Sequence, residues 1–456
     1  MSGAANPTGA APAPTLRSIR ACLEGAIPAN IATCAPDGTP NVAYLSQVVY
    51  VDEGHVALSF QFFNKTRQNI LANPCATVLL LDPVTAQYYR LQLRYLRTET
   101  EGPLFERMRA QLAGIASHEG LAEVFALKGS DVYAVEQIEA LASELLPPAP
   151  PRADLLGAVR LCSLRLARCT GLDELLQALL AGLSEHLGIA HAMVLMLDGA
   201  AGQLYTVASM GYARSGVGSE IRLGQGVIGM AAREATAVRI GHVTHAALYN
   251  HGLRHSLEAD GTAAGPEIPY PGLAEPHSQL AVPLISGGRT LGVLFVESPL
   301  DLQFRYPEED ALVTLAGQLA AAIDRLQVPD DSSEPARPYA SRTPPQGPPL
   351  RVRHFAADGS VFVNDSYLIK GVAGAILCKL LREHASSGRQ EFSNRELRLD
   401  RTLGLPEVAD NLEARLLLLQ RRLQESGTGI RIDRAGRGRF RLHLDAPVLL
   451  DPRSGS

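Results

Sequence analysis

Along the chain, stretches in which apolar residues recur at every second position give way to stretches in which they recur every three or four. From Ile27 to Ser46 the pattern predicts a strand, a turn at Asp37-Gly38 and a second strand. Strand-like segments follow at Val48–Val51, Val56–Phe60, Thr77–Leu81 and Tyr88–Thr98, then a helix over Leu104–Gly114 and a closing strand over Val132–Gln137. Many short strands with few helices predict a small barrel. The period then changes. Leu155, Val159, Leu166 and Cys169, then Leu172, Leu176, Leu179 and Leu183, fall at helical spacing and predict two helices over 155–169 and 172–187. Strands at Ala192–Leu197 and Leu204–Ser209 come next. A helix from Pro307 to Leu326 ends this region, opening on Pro307-Glu308-Glu309-Asp310, where a helix N-terminus favours proline and acids.

The last region is again helical at first. Val372, Ile376, Leu380 and Leu381 form one apolar stripe, and Ser393 with Glu396 three residues on has the form of a capping box. A longer helix is predicted from near Pro406, with Leu412, Leu416, Leu419 and Leu423 on its buried side. IRIDRAGRGRFRLHL at 430–444 then predicts a hairpin turned by Gly436 and Gly438.

Two proline-rich breaks separate these regions, LLPPAPPR at 145–152 and a longer one over 328–350. Proline removes a backbone donor and favours extended chain, so such stretches connect folded units. A chain of 456 residues also exceeds a single core. The predicted organisation is a disordered tail over 1–15, a barrel over 16–144, a linker over 145–154, an α+β unit over 155–326, a second linker over 327–350 and a helical unit with a hairpin over 351–446.

Charge sharpens this picture. The net charge is −5, yet residues 350–456 hold 18 Lys and Arg against 13 Asp and Glu. A basic C-terminal module on an acidic body suits contact with nucleic acid. The six cysteines, Cys22, Cys34, Cys75, Cys162, Cys169 and Cys378, lack paired or metal-ligand spacing, and Cys162 and Cys169 read as packed thiols. No metal site is expected. No run of about 18 uninterrupted apolar residues occurs, so a cytoplasmic protein without a membrane partner is expected.

The residues of the first region resemble the flavin-binding split barrels related to pyridoxamine-phosphate oxidase. The likeness covers about 16–140 and rests on the opening hairpin, on LSFQFFNKTRQNILANP at 58–74 and on YYRLQLRYLRTETEGPLFERM at 88–108. It implies FMN as cofactor, with Ser59, Lys65, Thr66 and Asn69 at the phosphate-loop positions and Arg90 and Arg94 on the later strand beside the cofactor. A dianionic phosphate needs cations and donors converging at one point. Adjacent basic residues of the family's phosphate loop are here separated, Lys65 from Arg67 by Thr66. A flavin-dependent oxidoreductase with a regulatory second domain is the alternative enzyme reading.

The second region resembles a GAF domain through LGQGVIGMAAREATAVRIGHV at 223–243, SQLAVPLISGGRTLGVLFVES at 278–298 and YPEEDALVTLAGQLAAAID at 306–324. The resemblance implies a small-molecule ligand under variable loops, here about 244–277 with His245, His251, His255 and His277. Gly224, Gly226 and Gly229 have the spacing of a dinucleotide fingerprint but follow no buried parallel strand, and read as glycines of the fold. Leu312, Leu315, Leu319 and Leu326 on the closing helix suit a core or a two-helix seam, and a homodimer is expected.

The third region resembles the winged-helix effector domains of response regulators through ARLLLLQRRLQESGTGIRIDRAGRGRFRL at 414–442, with LRLDRTLGLPEVAD before the long helix as a departure. The fold expected overall is multidomain: a β split barrel, an α+β GAF domain and a C-terminal winged helix. DNA is the implied partner. Asn411, Arg415 and Arg422 are expected to project from the long helix away from its leucine side, with Arg434, Arg437 and Arg439 on the wing. Arginine reads guanine edges and asparagine reads adenine. The function expected is a ligand- or redox-responsive transcription regulator.

Overall fold

The computed structural model describes residues 13–23, 29–45, 47–60, 65–118, 127–146, 154–241, 268–327, 348–355, 359–403, 412–436 and 438–450. The first unit is an antiparallel sheet of β1 (Ala29–Cys34), β2 (Pro40–Leu45), β3 (Val48–Asp52), β4 (His55–Phe60), β5 (Cys75–Leu81), β6 (Tyr88–Glu99) and β7 (Gly129–Ala140), in the order β2-β1-β5-β6-β7-β4-β3. Alternation along the strands turns Ile31, Val56, Leu58, Val78, Leu80, Leu91 and Leu93 into one core. The opposite face of β4 meets α2 (Pro103–His118), where Phe105, Met108 and Leu112 pack on Val49 and Ala57. The short helix α1 (Lys65–Ala72) lies against β1 and β2.

The second unit has six antiparallel strands, β8 (His191–Asp198), β9 (Gln203–Met210), β10 (Glu220–Arg222), β11 (Val238–Ile240), β12 (Ser278–Ser286) and β13 (Arg289–Ser298), in the order β10-β9-β8-β13-β12-β11. Helices α3 (Leu155–Leu166), α4 (Leu172–Leu187) and α6 (Tyr306–Gln327) supply the apolar layer of one face. Helix α5 (Gly226–Glu234) covers the other, against Met193, Leu195, Leu204, Ala281 and Phe295. With every pairing antiparallel there is no βαβ unit among the described residues, so Gly224, Gly226 and Gly229 serve the fold. A Cβ at Gly229 would stand 2.3 Å from the Arg222 carbonyl oxygen, a close approach that only glycine permits.

Leu312, Leu315 and Leu319 are fully buried in this unit's own core, which removes them from any seam with a second copy. A periodic stripe identifies a buried face but not what buries it. The first two units also touch. Ala110 of α2 joins the layer under α5, Arg109 pairs with Glu234 at 2.8 Å, and the Arg20 guanidinium lies 3.8 Å from the Tyr306 ring centroid.

The third unit opens on strands the sequence pattern did not predict: β14 (Leu350–Phe355), β15 (Ser360–Val363) and β16 (Ser366–Ile369). They form a sheet with β20 (Val448–Leu450), in the order β16-β15-β14-β20, and β20 runs parallel to β14. Helix α7 (Gly371–Ser387), strand β17 (Glu391–Ser393), α8 (Asn394–Leu399) and α9 (Leu412–Ser426) follow, and β18 (Ile430–Arg434) with β19 (Arg439–Leu444) forms a hairpin to which β17 adds. The capping box at Ser393 and Glu396 is formed on both sides. Pro406 and Asn411 lie outside the described residues, as do His245, His251, His255 and Arg437. No helix among the described residues is long and apolar enough to cross a membrane.

Candidate functional site

Three places gather polar chemistry. The first is the start of α1. Lys65 is exposed there, and the buried Thr66 hydroxyl accepts from Asn41 Nδ2 at 2.9 Å. Asn69 is also buried and donates to Thr33 Oγ1 at 3.1 Å, so its amide is committed to the β1 strand. Ser59 Oγ, at the end of β4, is buried without a hydrogen-bond partner among the described residues. A cation, an orphaned hydroxyl and a helix start are the kinds of group that a phosphate takes.

The two strand arginines do not converge on it. Glu99 and Ser59 both stand opposite Ser130, whereas Arg94 and Arg90 lie five and nine residues back along β6. At about 3.3 Å per residue they are roughly 16 and 30 Å from that level. Each faces an acid across the strands instead, Arg94 with Glu136 at 2.5 Å and Arg90 with Glu139. They lie on the later strand, as the resemblance implies, away from the level of Ser59 and each paired with an acid.

Arg67, separated from Lys65 by Thr66, is held inward instead. It pairs with Asp131, donates to Thr98 Oγ1 at 2.8 Å and lies 4.5 Å from the Phe60 ring centroid. Thr98 also donates to Asp131 at 2.5 Å. A carboxylate thus occupies the guanidinium.

The second place is the α5 face of the six-stranded sheet. The register sets Glu297 of β13 opposite His191 of β8 and Gln279 of β12. Glu297 is 1% exposed and accepts from Leu273 N at 2.8 Å and from Gln279 Nε2 at 3.1 Å. The Tyr212 ring packs 5.5 Å from the His191 ring. Burial pushes the Glu297 carboxyl above the usual carboxylate range, against the pull of its amide donors. Burial, followed by the nearby Glu297, likewise raises the Tyr212 phenol. Gly211, just before Tyr212, has φ +88 and comes so near the Ala190 carbonyl that a Cβ would lie 1.9 Å from its oxygen. None of these residues was singled out from the sequence. The available signal was an acid in LFVES with the parity of the buried Val293 and Phe295.

The third place is the last unit. The hairpin exposes Arg434 and Arg439, as expected. The long helix differs. Arg415 is 5% exposed and pairs with Asp198 at 2.7 Å, and Arg422 donates to the Leu368 carbonyl at 3.1 Å and meets Glu425 at 2.9 Å. Neither projects outward as expected, because the run Leu416–Leu419 is buried throughout and the helix is covered on more than its leucine side. Among the described residues, no cluster of histidine, cysteine or acids could hold a metal ion.

Comparison with known proteins decides the identity of two units. Residues 169–324 match the model of the GAF domain, and residues 16–139 match that of pyridoxamine 5'-phosphate oxidase. The chain contains a GAF domain and a barrel like that of pyridoxamine 5'-phosphate oxidase. No curated protein matches it. Similar solved structures include an FMN-binding protein from Syntrophomonas wolfei subsp. wolfei, at 16% identity over 28% of this chain and 87% of that one, with a TM-score of 0.25. The GAF domain of a phosphoenolpyruvate-protein phosphotransferase from Coxiella burnetii is 23% identical over 38% of this chain and 94% of that one, with a TM-score of 0.31. The free methionine-R-sulfoxide reductase from Neisseria meningitidis is 22% identical over 40% and 96%, with a TM-score of 0.30.

Within the GAF domain, Glu297 makes stability depend on pH in a definite direction. Its folded pKa is raised above the unfolded value, so the folded state holds the proton more tightly. The stability this contributes is complete below the unfolded pKa and is lost as pH rises toward the folded one. Glu297→Gln is expected to flatten this decline in urea midpoints measured from about pH 4 to 7. An unaltered slope would show that Glu297 is not the group responsible.

Proposed function

We propose that this chain is a sensory regulator that binds duplex DNA through its C-terminal unit, a winged helix. The GAF domain takes a small-molecule ligand and the barrel takes FMN. The observation that carries this reading is the hairpin, whose exposed Arg434 and Arg439 flank its turn on a basic module reached through three helices. Guanidinium groups at a hairpin tip suit phosphate contact, which fixes a protein on the duplex without reading its sequence. Titration of labelled duplex with the full chain at low salt tests it.

The ligand reading rests on the buried carboxyl of Glu297 with the Tyr212, His191 and Gln279 side chains on the same face of the GAF sheet. A protonatable carboxyl beside a phenol and an amide gives donors and acceptors in a dry setting, where unmatched ligand groups cost most.

The FMN reading rests on Lys65, the orphaned Ser59 hydroxyl and the start of α1. When bound, FMN supplies a redox-active chromophore, and these residues would hold its phosphate. Lys65→Ala is expected to weaken FMN uptake by the full chain by about 1.5–3 kcal/mol, the worth of a charge-assisted contact. Flavin fluorescence quenching reads the change. Wild-type chain that takes up no FMN would remove the barrel from the sensing role.

A further inference from the structure

In a winged helix the third helix faces DNA, yet here α9 is covered by the GAF domain. Arg415 reaches Asp198 at the end of β8 and lies 4.3 Å from the Tyr205 ring centroid on β9. Arg421 donates to the Val207 carbonyl at 2.5 Å and to Asp173, in the first turn of α4, at 2.6 Å. Glu425 accepts from Ser215 at 2.5 Å, and Lys370, ahead of α7, meets Glu220 of β10 at 2.7 Å. Between these polar contacts, Leu416, Leu417 and Leu418 join an apolar layer continuous with Leu176, Leu179 and Val207 of the GAF domain. A Cβ at Gly218 would lie 3.7 Å from Leu418 and 3.4 Å from Arg422, so the GAF backbone comes right up to the helix.

Carboxylates from the GAF domain therefore stand at the α9 guanidiniums where phosphates of a duplex would stand. In the same arrangement Arg439 remains exposed, and Arg434, though exposed too, brings its guanidinium against Gly171 at the start of α4. We propose that this is a closed state, in which the GAF domain holds α9 against β8, β9 and α4 and keeps it off DNA until the contact opens. The proposal rests on the reading of the C-terminal unit as DNA-binding.

The same two strands connect this contact to the candidate ligand site. His191 and Asp198 are the two ends of β8, and Tyr212 follows β9. A ligand that shifts β8 or β9 at one end alters the strand position that Arg415 grips at the other and the Val207 carbonyl that Arg421 holds at mid-strand. To move such an equilibrium from almost closed to almost open, the ligand must prefer the open state by about 10⁴-fold.

The test reverses charge on the GAF side only, in the full chain, by Asp173→Arg with Asp198→Arg. Glu101→Arg with Glu144→Arg, at exposed positions of the first unit and its trailing segment, gives a control with the same change in net charge. Duplex affinity is read by anisotropy, and opening by amide hydrogen exchange over residues 412–426. The expected result is faster exchange in α9 and an affinity about tenfold or more above the control. Should the double variant not fold, Asp173→Arg alone, at a side chain 63% exposed, is expected to give the same changes to a lesser degree. Faster exchange with affinity no better than the control would overturn the proposal while leaving DNA binding to the hairpin. Unchanged exchange with control-level affinity would also overturn it, since like charges would then have found no closed contact to open. If none of the proteins, wild type included, binds duplex at low salt, the DNA reading itself falls and the proposal with it.

Discussion

Replacing Arg415 with alanine is expected to destabilise the full chain by about 3–5 kcal/mol, the cost of leaving one member of a buried ion pair alone. The pair is almost dry, with side-chain exposures of 6% for Arg415 and 13% for Asp198, so solvent offers the carboxylate little relief and the Ala201 amide at 3.0 Å only part of its lost partner. The variant also loses the guanidinium stacked on Tyr205. The measurement is the urea midpoint of the transition that unfolds the GAF domain and the C-terminal unit, whose apolar layers are joined. Adding Asp198→Ala to Arg415→Ala should restore part of the loss, because no unpaired charge then remains. That recovery distinguishes the ion pair from simple loss of packing. A single variant within about 0.5 kcal/mol of wild type would mean that Arg415 faces solvent, as a DNA-reading helix would place it.

Much of the architecture was legible in the sequence, and the failures have physical causes. The β1–β2 hairpin was visible because alternation and the Asp37-Gly38 turn point to the same register. Helices α4 and α6 were visible because their leucines recur at helical spacing over four or more turns. Strands β14, β15, β16 and β20 were not, being three to six residues long, and β20 finds its partner at the far end of the unit. A short apolar run of that kind has no period to read.

The sites were less legible than the fold. A resemblance passes on residue types but not their partners, so the acids that face Arg90 and Arg94 across the sheet, Glu139 and Glu136, were not foreseen. Glu297 shares the parity of the buried Val293 and Phe295, but its partners His191 and Gln279 come from pairing with β8 and β12 and could not be read from its neighbours in sequence. For α9, the four leucines at 416–419 signalled a helix apolar on more than one side, and such helices are covered on more than one side. The outward placement of Arg415 gave that run too little weight.

The central claim, that the C-terminal unit binds duplex DNA, is tested most directly by the salt dependence of binding. Arg439 stays exposed while α9 is covered, and Arg434 stays exposed although its guanidinium touches Gly171 of the GAF domain, so the wild-type chain is expected to bind random duplex even when closed. Each phosphate that an arginine neutralises contributes about 0.9 to the slope of log affinity against log salt. Arg434→Ala with Arg439→Ala should therefore flatten the slope by about 2 and weaken binding alike on all duplex sequences, because phosphate contacts carry no sequence information. Anisotropy titrations of wild type and double variant, on several duplexes over a range of salt, give both quantities. The account predicts a salt-dependent wild-type affinity with a slope that falls in the variant. A wild-type chain that binds no duplex at low salt, or a variant with an unchanged slope, would contradict it.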